Sequence, residues 1–355
     1  MVRPKIRDYN YDPNHQHKPI ETIRDFKDYE MFIVKKGTKK PLPIVYGAVN
    51  WTDNRESLGM RLTTSIPRNT RDRFFKYYDV AEIGDTIIFK NKNQVIFSGM
   101  IEEMTLNRYS KDIVCYDSGF LLNKTNTLKQ FSKIRGHDAI KKLCKDNGIP
   151  VGKVVNMGVS ITEIYKNTAV SDIIKDIMSK EENRTGNKMT MEIRGNKLYV
   201  DFVKNLRIEM TYKPAANVSL FDPRKTIGEI NRSDSIADIK NEVKVVYEKE
   251  KKTRIVATAR DNDSIKKYGK RTHIETITKD QLKQAKQIAN NKLRELNGIK
   301  TSLTVELLGD DRVRAGRLVN LQNKTFKIRG DYIIDNCEQI YENNNRRMVL
   351  DLTGV

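Results

Sequence analysis

The side chains that could do chemistry are few, and their spacing does not assemble them. Glu102-Glu103 and Glu181-Glu182 are adjacent carboxylates, and cleavage of peptidoglycan or another glycan needs two acids roughly 5–10 Å apart. Neighbours on a strand point to opposite faces, so Glu102 and Glu103 are not expected to form that pair. Glu181-Glu182 follows Lys180 and precedes Arg184 at the end of an expected helix, where a solvated ion-pair face is the plainer reading. With 46 acids in the chain, a pair drawn from distant positions stays open. His15 and His17 could chelate a transition metal, but no nearby Cys or third His completes a set, and His137 and His273 stand alone. Cys115, Cys144 and Cys337 are odd in number and scattered, which points to reduced, buried thiols rather than disulfides or a zinc knuckle. GxSxG, GxxxxGK[ST], HExxH and GxGxxG are all missing. No catalytic, metal-binding or cofactor site is expected, and the chain reads as non-enzymatic.

The elements that would have to position such groups belong to a sizeable folded protein. At 355 residues the chain is long enough for two or three packed units. Its 66 Lys and Arg against 46 Asp and Glu leave +20, while hydrophobic residues still make up 38%. Alternating apolar runs exclude disorder, and ordinary Gly and Pro usage excludes fibrous classes. No stretch approaches the length of an apolar membrane span. The first thirty residues lack an apolar core with a cleavage site, so no secretory leader is expected and assembly in a cytoplasm is. The positive balance raises the possibility of nucleic acid, because phosphate neutralisation carries non-specific affinity. Residues 236–355 hold 25 Lys/Arg and 17 Asp/Glu, a proportional share of the excess, and there is no basic tail. The clusters at Lys35-Lys36 and Lys39-Lys40, at Lys249, Lys251, Lys252 and Arg254, and at Lys266, Lys267, Lys270 and Arg271 fall between expected strands. There they read as solvated turns.

Residues 1–28 read as an extended arm. Strands are expected at Met31–Val34 and Ile44–Tyr46, and Leu58, Met60, Leu62, Thr64 and Ile66 alternate with period two up to Pro67. Thr86–Phe89, Val95–Phe97 and Ile113–Tyr116 continue the series, with Gly99 as a bulge or bend. In the middle of the chain Asp138–Cys144 is an amphipathic helix stopped by Gly148 and Pro150. Ser171 caps a second, striped by Ile173, Ile174, Ile177 and Met178. Met189, Met191 and Ile193 alternate into a turn at Gly195-Asn196, and Leu198, Val200 and Phe202 alternate out of it. Beyond 236 strands return at Val243–Tyr247 and Ile255–Ala257. Thr278-Lys279-Asp280-Gln281 fits a capping box for a helix with Leu282, Ala285, Ala289, Leu293 and Leu296 on one face, expected to pack on the chain's own sheet. Thr301–Leu307 and the C-terminus are strand.

The two strand-rich regions echo each other. EIGDTIIFKNKNQVIFSGMIEE then DIVCYD matches RAGRLVNLQNKTFKIRGDYIIDNCEQ then RMVLDL in pattern: Gly84 to Gly99 against Gly316 to Gly330, with terminal aspartates at Asp117 and Asp351.

With VYGAVNWTDNRESLGMRLTTSI and AVSDIIKDIM added, the order of parts over roughly residues 30–355 resembles the baseplate hub proteins of contractile phage tails and phage-tail-like bacteriocins, the late control protein D-like prophage hubs. The resemblance implies a mainly β chain with two tube-type antiparallel β-barrels, divided into an arm (1–28), a first barrel (29–129), a small α+β middle domain (130–232) and a second barrel (233–355) with an inserted helix (279–297). It implies a homotrimer that matches a six-fold tail tube to a three-fold spike. The implied partners are the tail tube protein, the spike or cell-puncturing protein, other baseplate proteins and, as a further candidate, the tape measure protein. The particle would be assembled in the bacterial cytoplasm. A nucleic-acid-binding protein using the basic surface and a cell-wall hydrolase are the alternatives, and sequence-specific nucleic acid is not expected.

Overall fold

The computed structural model describes residues 29–69, 80–213, 226–249 and 252–354. Expected alternation becomes strand from the start: β1 (Tyr29–Val34), β2 (Leu42–Ile44), β3 (Val49–Asn54), β4 (Arg61–Pro67), β5 (Thr86–Asn91), β6 (Gln94–Leu106) and β7 (Ser110–Asp117). Met60, Leu62, Thr64 and Ile66 all face inward, into a core with Met31, Ile33, Phe89 and Ile113. Leu58, the first residue of that alternation, joins the core of the middle unit instead.

The middle unit runs α1 (Gly119–Lys124), β8 (Asn126–Arg135), α2 (Gly136–Asp146), β9 (Val151–Val154), β10 (Ser160–Ala169), α3 (Val170–Thr185), β11 (Met189–Arg194) and β12 (Lys197–Phe202). The β11–β12 hairpin forms as expected. Gly195 and Asn196 both have positive φ, 54° and 61°, the conformation that joins twisted strands in two residues. The cap of α3 differs from expectation: it is Ala169, and Ser171 lies buried in the first turn without a capping hydrogen bond. Strand β10 runs straight into the helix, which leaves no turn for a side-chain cap.

The chain continues as β13 (Arg207–Tyr212), β14 (Ile227–Ser235), β15 (Glu242–Lys249), β16 (Lys252–Arg260), α4 (Asn262–Tyr268), β17 (Thr272–Ile277), a 3-10 turn (Lys279–Gln284), α5 (Ala285–Leu296), β18 (Lys300–Leu308), β19 (Leu318–Asn323), β20 (Ile328–Glu342) and β21 (Asn345–Gly354). The strands at 243–257 do not join the neighbouring sheet. They make a separate three-stranded sheet, β16-β15-β17, so the insertion between β14 and β18 is a small β-α unit rather than one helix. Nor is the helix continuous over 279–297. The Thr278 N–H donates to Gln281 Oε1 at 3.1 Å, completing the box, but the box opens the 3-10 turn, and the α-helix begins at Ala285. Ala285, Ile288 and Ala289 then cover Val243, Val245 and Ala259, so the stripe packs on the chain's own sheet.

Among the described residues thirteen strands form one continuous sheet in two halves. The N-terminal half has the order β1-β5-β6-β7-β4-β3 with β2 outside β1, and the C-terminal half has β13-β19-β20-β21-β18-β14. The four pairings from β5 and β19 onward match in order and in antiparallel sense. The outer strand differs: β1 is antiparallel to β5, whereas β13 is parallel to β19. Both long strands are bulged, after Ile101 in β6 and after Ile334 in β20. At each bulge the same two hydrogen bonds form: Gly84 N–H to Ile101 O and Ile101 N–H to Asp85 O, then Gly316 N–H to Ile334 O and Ile334 N–H to Arg317 O.

Carried along the registers, this equivalence lays Gly47–Asn54 (GAVNWTDN) on Gly228–Ser235 (GEINRSDS), a match that sequence inspection missed. It also corrects two earlier pairings. Gly99 falls opposite Tyr332 rather than Gly330, and Asp117 falls on Gly354, because Asp351 sits three residues earlier on β21. The glycines that correspond are Gly84 (φ +89°) and Gly316 (φ +77°), each two residues before its strand.

Candidate functional site

The place where separate elements converge is the junction of the two halves with the middle unit. Strand β3 reads Val-Asn-Trp-Thr-Asp-Asn, and its inward residues Val49, Trp51 and Asp53 are buried. One edge of β3 pairs with β4, and the other pairs with the C-terminal part of β20 over Asn336↔Asn54 to Tyr341↔Val49. The ladder is reinforced by Asn50 Nδ2 to Glu338 Oε1 at 2.5 Å and by Arg55, whose Nε lies 2.9 Å from Asp335 Oδ1. Tyr341 crosses from the C-terminal half into the N-terminal core, 4.6 Å ring to ring from Tyr29.

Behind the ladder lies a chain of charges. Arg314 donates to Asp53 Oδ2 at 2.9 Å and to the Ile193 carbonyl at 2.8 Å, and Arg317 Nη2 reaches both oxygens of Glu192 at 2.8 Å. These contacts link β3, the β11–β12 hairpin and the loop before β19. Arg346 is almost fully buried between Tyr29, Asp311 and Gln339. Asp53 and Glu192 hold the Arg314 guanidinium firmly charged despite its burial. Burial pushes Asp117, at the edge of this cluster, up to about 6, against hydrogen bonds that favour its charged form. A cavity of about 350 Å³ opens here, lined among others by Trp51, Asp117, Arg194, Arg312, Arg314 and Arg317. The Arg314–Asp53 and Arg317–Glu192 pairs hold β3, the hairpin and the loop before β19 in register.

The acids singled out from the sequence are not drawn together. Glu102 is the extra residue of the β6 bulge, so strict alternation does not govern the Glu102-Glu103 pair. Neither carboxylate has an ionic or hydrogen-bonding partner among the described residues. Glu181 is not on a solvated face: it is 1% exposed, accepts the Val159 N–H at 3.0 Å and binds Arg184 Nη2 at 2.6 Å, tying α3 to the loop before β10. Glu182 accepts the Met189 N–H at 2.6 Å, and burial raises its carboxyl above the usual range. His15, His17 and the arm lie outside the described residues. Among the described residues no group of three or more His, Cys, Asp or Glu could hold a metal, and no helix is long and apolar enough to cross a membrane. The three cysteines are free and buried, and burial pushes each thiol up to about 12. Lys35, assigned to a solvated turn, is held 2.7 Å from buried Asp85. The junction arginines went unnoticed because their partners lie 125 and 261 residues away. The one available signal was a polar residue, Asp53, at an inward strand position.

Comparison with known proteins follows the same outline. A family model described as YQBQ-like matches residues 49–353. The "Uncharacterized protein YqbQ" of Bacillus subtilis is 25% identical over 328 residues, and the "Phage-like element PBSX protein XkdQ" of the same organism is 26% identical over 327. Each alignment spans 91% of this chain and 96% of the relative. Among solved structures, a tail protein from Neisseria meningitidis superposes with a TM-score of 0.65 at 14% identity, covering 92% of this chain and 96% of that one. Prophage tail protein gp18 from Listeria monocytogenes gives 0.62 at 10%, covering 91% and 94%. The E. coli c3393 protein, described as a type VI secretion component similar in structure to T4 tail proteins gp27 and gp5, gives 0.52 at 8%, covering 90% and 76%. The mainly β fold is therefore that of phage tail proteins of known structure, and the chain belongs to the YQBQ-like family.

Proposed function

We propose that this protein is the structural hub of a contractile-tail baseplate or of a phage-tail-like bacteriocin. In this reading the two halves of the sheet are two copies of a tube-type barrel, three chains form a ring of six, and the ring joins a six-fold tube to a three-fold spike. The observation that carries the reading is the shared strand order, bulge position and bulge hydrogen bonds of the two halves. The fold shared with the E. coli secretion component, itself likened to two tail proteins, supports a neighbouring spike. The proposed division is an arm (1–28), a first barrel (29–129), the middle domain (130–232) and a second barrel (233–355) carrying the insertion. The chain acts without catalysis, in the particle, beside the tube protein, the spike, other baseplate proteins and the tape measure protein.

Electron-microscopic imaging of the assembled particle tests this directly: at the level of this protein the density should show three chains with six similar wall segments. Six chains in the ring, or a single wall segment from each, would overturn it. One observation favours a second reading. The insertion, residues 236–299, carries 16 Lys/Arg and nine Asp/Glu, whereas residues 300–355 carry nine and eight, so within residues 236–355 the basic excess lies on the insertion. A duplex DNA affinity that collapses steeply with rising salt would favour nucleic acid.

A further inference from the structure

The junction cavity, about 350 Å³, has a wall more positive than the charge cluster around it. Five arginines line it, Arg194, Arg312, Arg314, Arg317 and Arg346, against two aspartates. Asp53 and Glu192, the carboxylates that pair with Arg314 and Arg317, are not among the lining residues, so these pairs turn their cationic side to the space. Of the two lining aspartates, Asp311 is paired with Arg346, and burial raises the Asp117 carboxyl. A second observation comes from Arg317. It is 9% exposed, and its Nη2 alone binds both oxygens of Glu192. Its Nη1 is buried and has no hydrogen-bond partner among the described residues. A guanidinium brings five N–H donors, and native proteins rarely leave a buried donor without an acceptor, be it protein, water or an ion. Arg194, the last residue of β11, is half-exposed, with its guanidinium held 3.8 Å over the Tyr199 ring.

We propose that this cavity binds a small oxyanion of the phosphate class, with Arg317 Nη1 and the Arg194 guanidinium as its donors. Water alone would satisfy one N–H of Arg317 but leave the excess of cations on the wall uncompensated. Guanidinium groups match the spacing of oxyanion oxygens, and their charge-assisted hydrogen bonds replace the ion's hydration. The apolar part of the wall, with Trp51 and Phe97, lowers the local polarity and strengthens those bonds. The bound ion joins the loop before β19 to the β11–β12 hairpin, beside the Arg314 contact to the Ile193 carbonyl that already does so. The site stands on the cavity wall and on Arg317, and does not depend on the hub reading.

The test uses Trp51, the only tryptophan, which lines the cavity and is 3% exposed. At constant ionic strength iodide should quench its fluorescence with a saturating dependence, whereas neutral acrylamide should quench it weakly and linearly. Inorganic phosphate should relieve the iodide quenching and raise the urea midpoint of unfolding, because a ligand of the native state alone stabilises that state. Arg317→Lys keeps a charge beside Glu192 but removes the second nitrogen, and should weaken phosphate about tenfold or more, the effect of one charge-assisted hydrogen bond. Arg194→Gln, at a half-exposed position, should weaken it as well and gives the reading if Arg317→Lys fails to fold. Phosphate that neither relieves the quenching nor shifts the midpoint would show a cavity filled by water and overturn the site. Phosphate binding undiminished in every folded variant would place the ion elsewhere on this basic chain and overturn it equally.

Discussion

Gly84 and Gly316 occupy equivalent turns, yet the structure surrounds them differently, and alanine at each separates backbone strain from packing. Both have positive φ, which disfavours an L side chain by about 1–2 kcal/mol. At Gly84 a new Cβ meets nothing closer than Lys36 Cδ at 3.8 Å, so Gly84→Ala should cost that strain and no more. At Gly316 the Cβ would collide with Thr190 of β11, whose own Cβ is 2.8 Å away and which is buried. Overpacking adds about 1–3 kcal/mol, so Gly316→Ala should lose about 2–5 kcal/mol in total. The excess is removable: added to Gly316→Ala, Thr190→Gly should recover about 1–3 kcal/mol relative to the sum of the single changes. Urea unfolding followed through Trp51, the only tryptophan and a seam residue, reads all four proteins of the cycle. Equal losses for the two alanine variants, or a cycle that closes to zero, would show that the β11–β12 hairpin does not rest on the Gly316 turn.

Three further outcomes follow from the junction and the core. Asp117 has its pKa raised from 3.8 to about 6, so the folded state binds the extra proton between those values and stability falls as pH rises through the window, by about 3 kcal/mol. Asp117→Asn should flatten that slope in unfolding measurements from pH 4 to 7.5, and an unchanged slope would place the titration elsewhere. Arg346→Met leaves Asp311 without its buried cation and should cost about 3–5 kcal/mol in the same assay, whereas a loss under 1 kcal/mol would mean the ion pair is solvated. A thiol reagent at pH 8 should modify none of the three cysteines in the native chain and all three in denaturant; fast native labelling of any one would contradict its burial.

What the sequence disclosed, and what it hid, follows from where side chains face. Leu58–Ile66 and the 189–202 hairpin were legible because one face of each is apolar apart from Thr64, and the Gly195-Asn196 turn has residues suited to positive φ. Strand β3 was not legible: its inward position 53 holds an aspartate that makes sense only beside Arg314, far along the chain. Strands β8 and β10 escaped notice because they form a two-stranded ribbon whose outer face carries Leu128 and Ile164, so the apolar residues do not fall on one side. The echo was seen in its glycines, where the spacing differs by one residue, and missed at GAVNWTDN and GEINRSDS, where it is closest. The 64-residue insertion after Ser235 hides that second copy from any fixed period. Charge was misjudged for a related reason, since a window from 236 to the end averages a basic insertion with a nearly neutral sheet.

The same asymmetry bears on how six could become three. Short residues 55–60 join β3 to β4, while the equivalent connection from β14 to β18 carries the whole β15–α5 unit. That unit is fastened to the middle domain: Asn183 Nδ2 reaches Glu275 at 2.9 Å, Asn291 Nδ2 reaches the Asn183 carbonyl at 2.9 Å, and Gln287 Nε2 reaches the Arg184 carbonyl at 2.8 Å. If three chains closed a ring by repeating the β3–β20 seam, every second wall segment would bear this appendage. The walls alone would present six-fold symmetry to whatever stacks on their sheet edges, and the appendages would present three-fold symmetry to whatever touches them. Deleting residues 236–299 and joining β14 to β18 with a short loop would then leave the six-fold face intact and remove the cue for the three-fold partner. Loss of tube binding in that deletion, with spike binding retained, would reverse the assignment of the two faces.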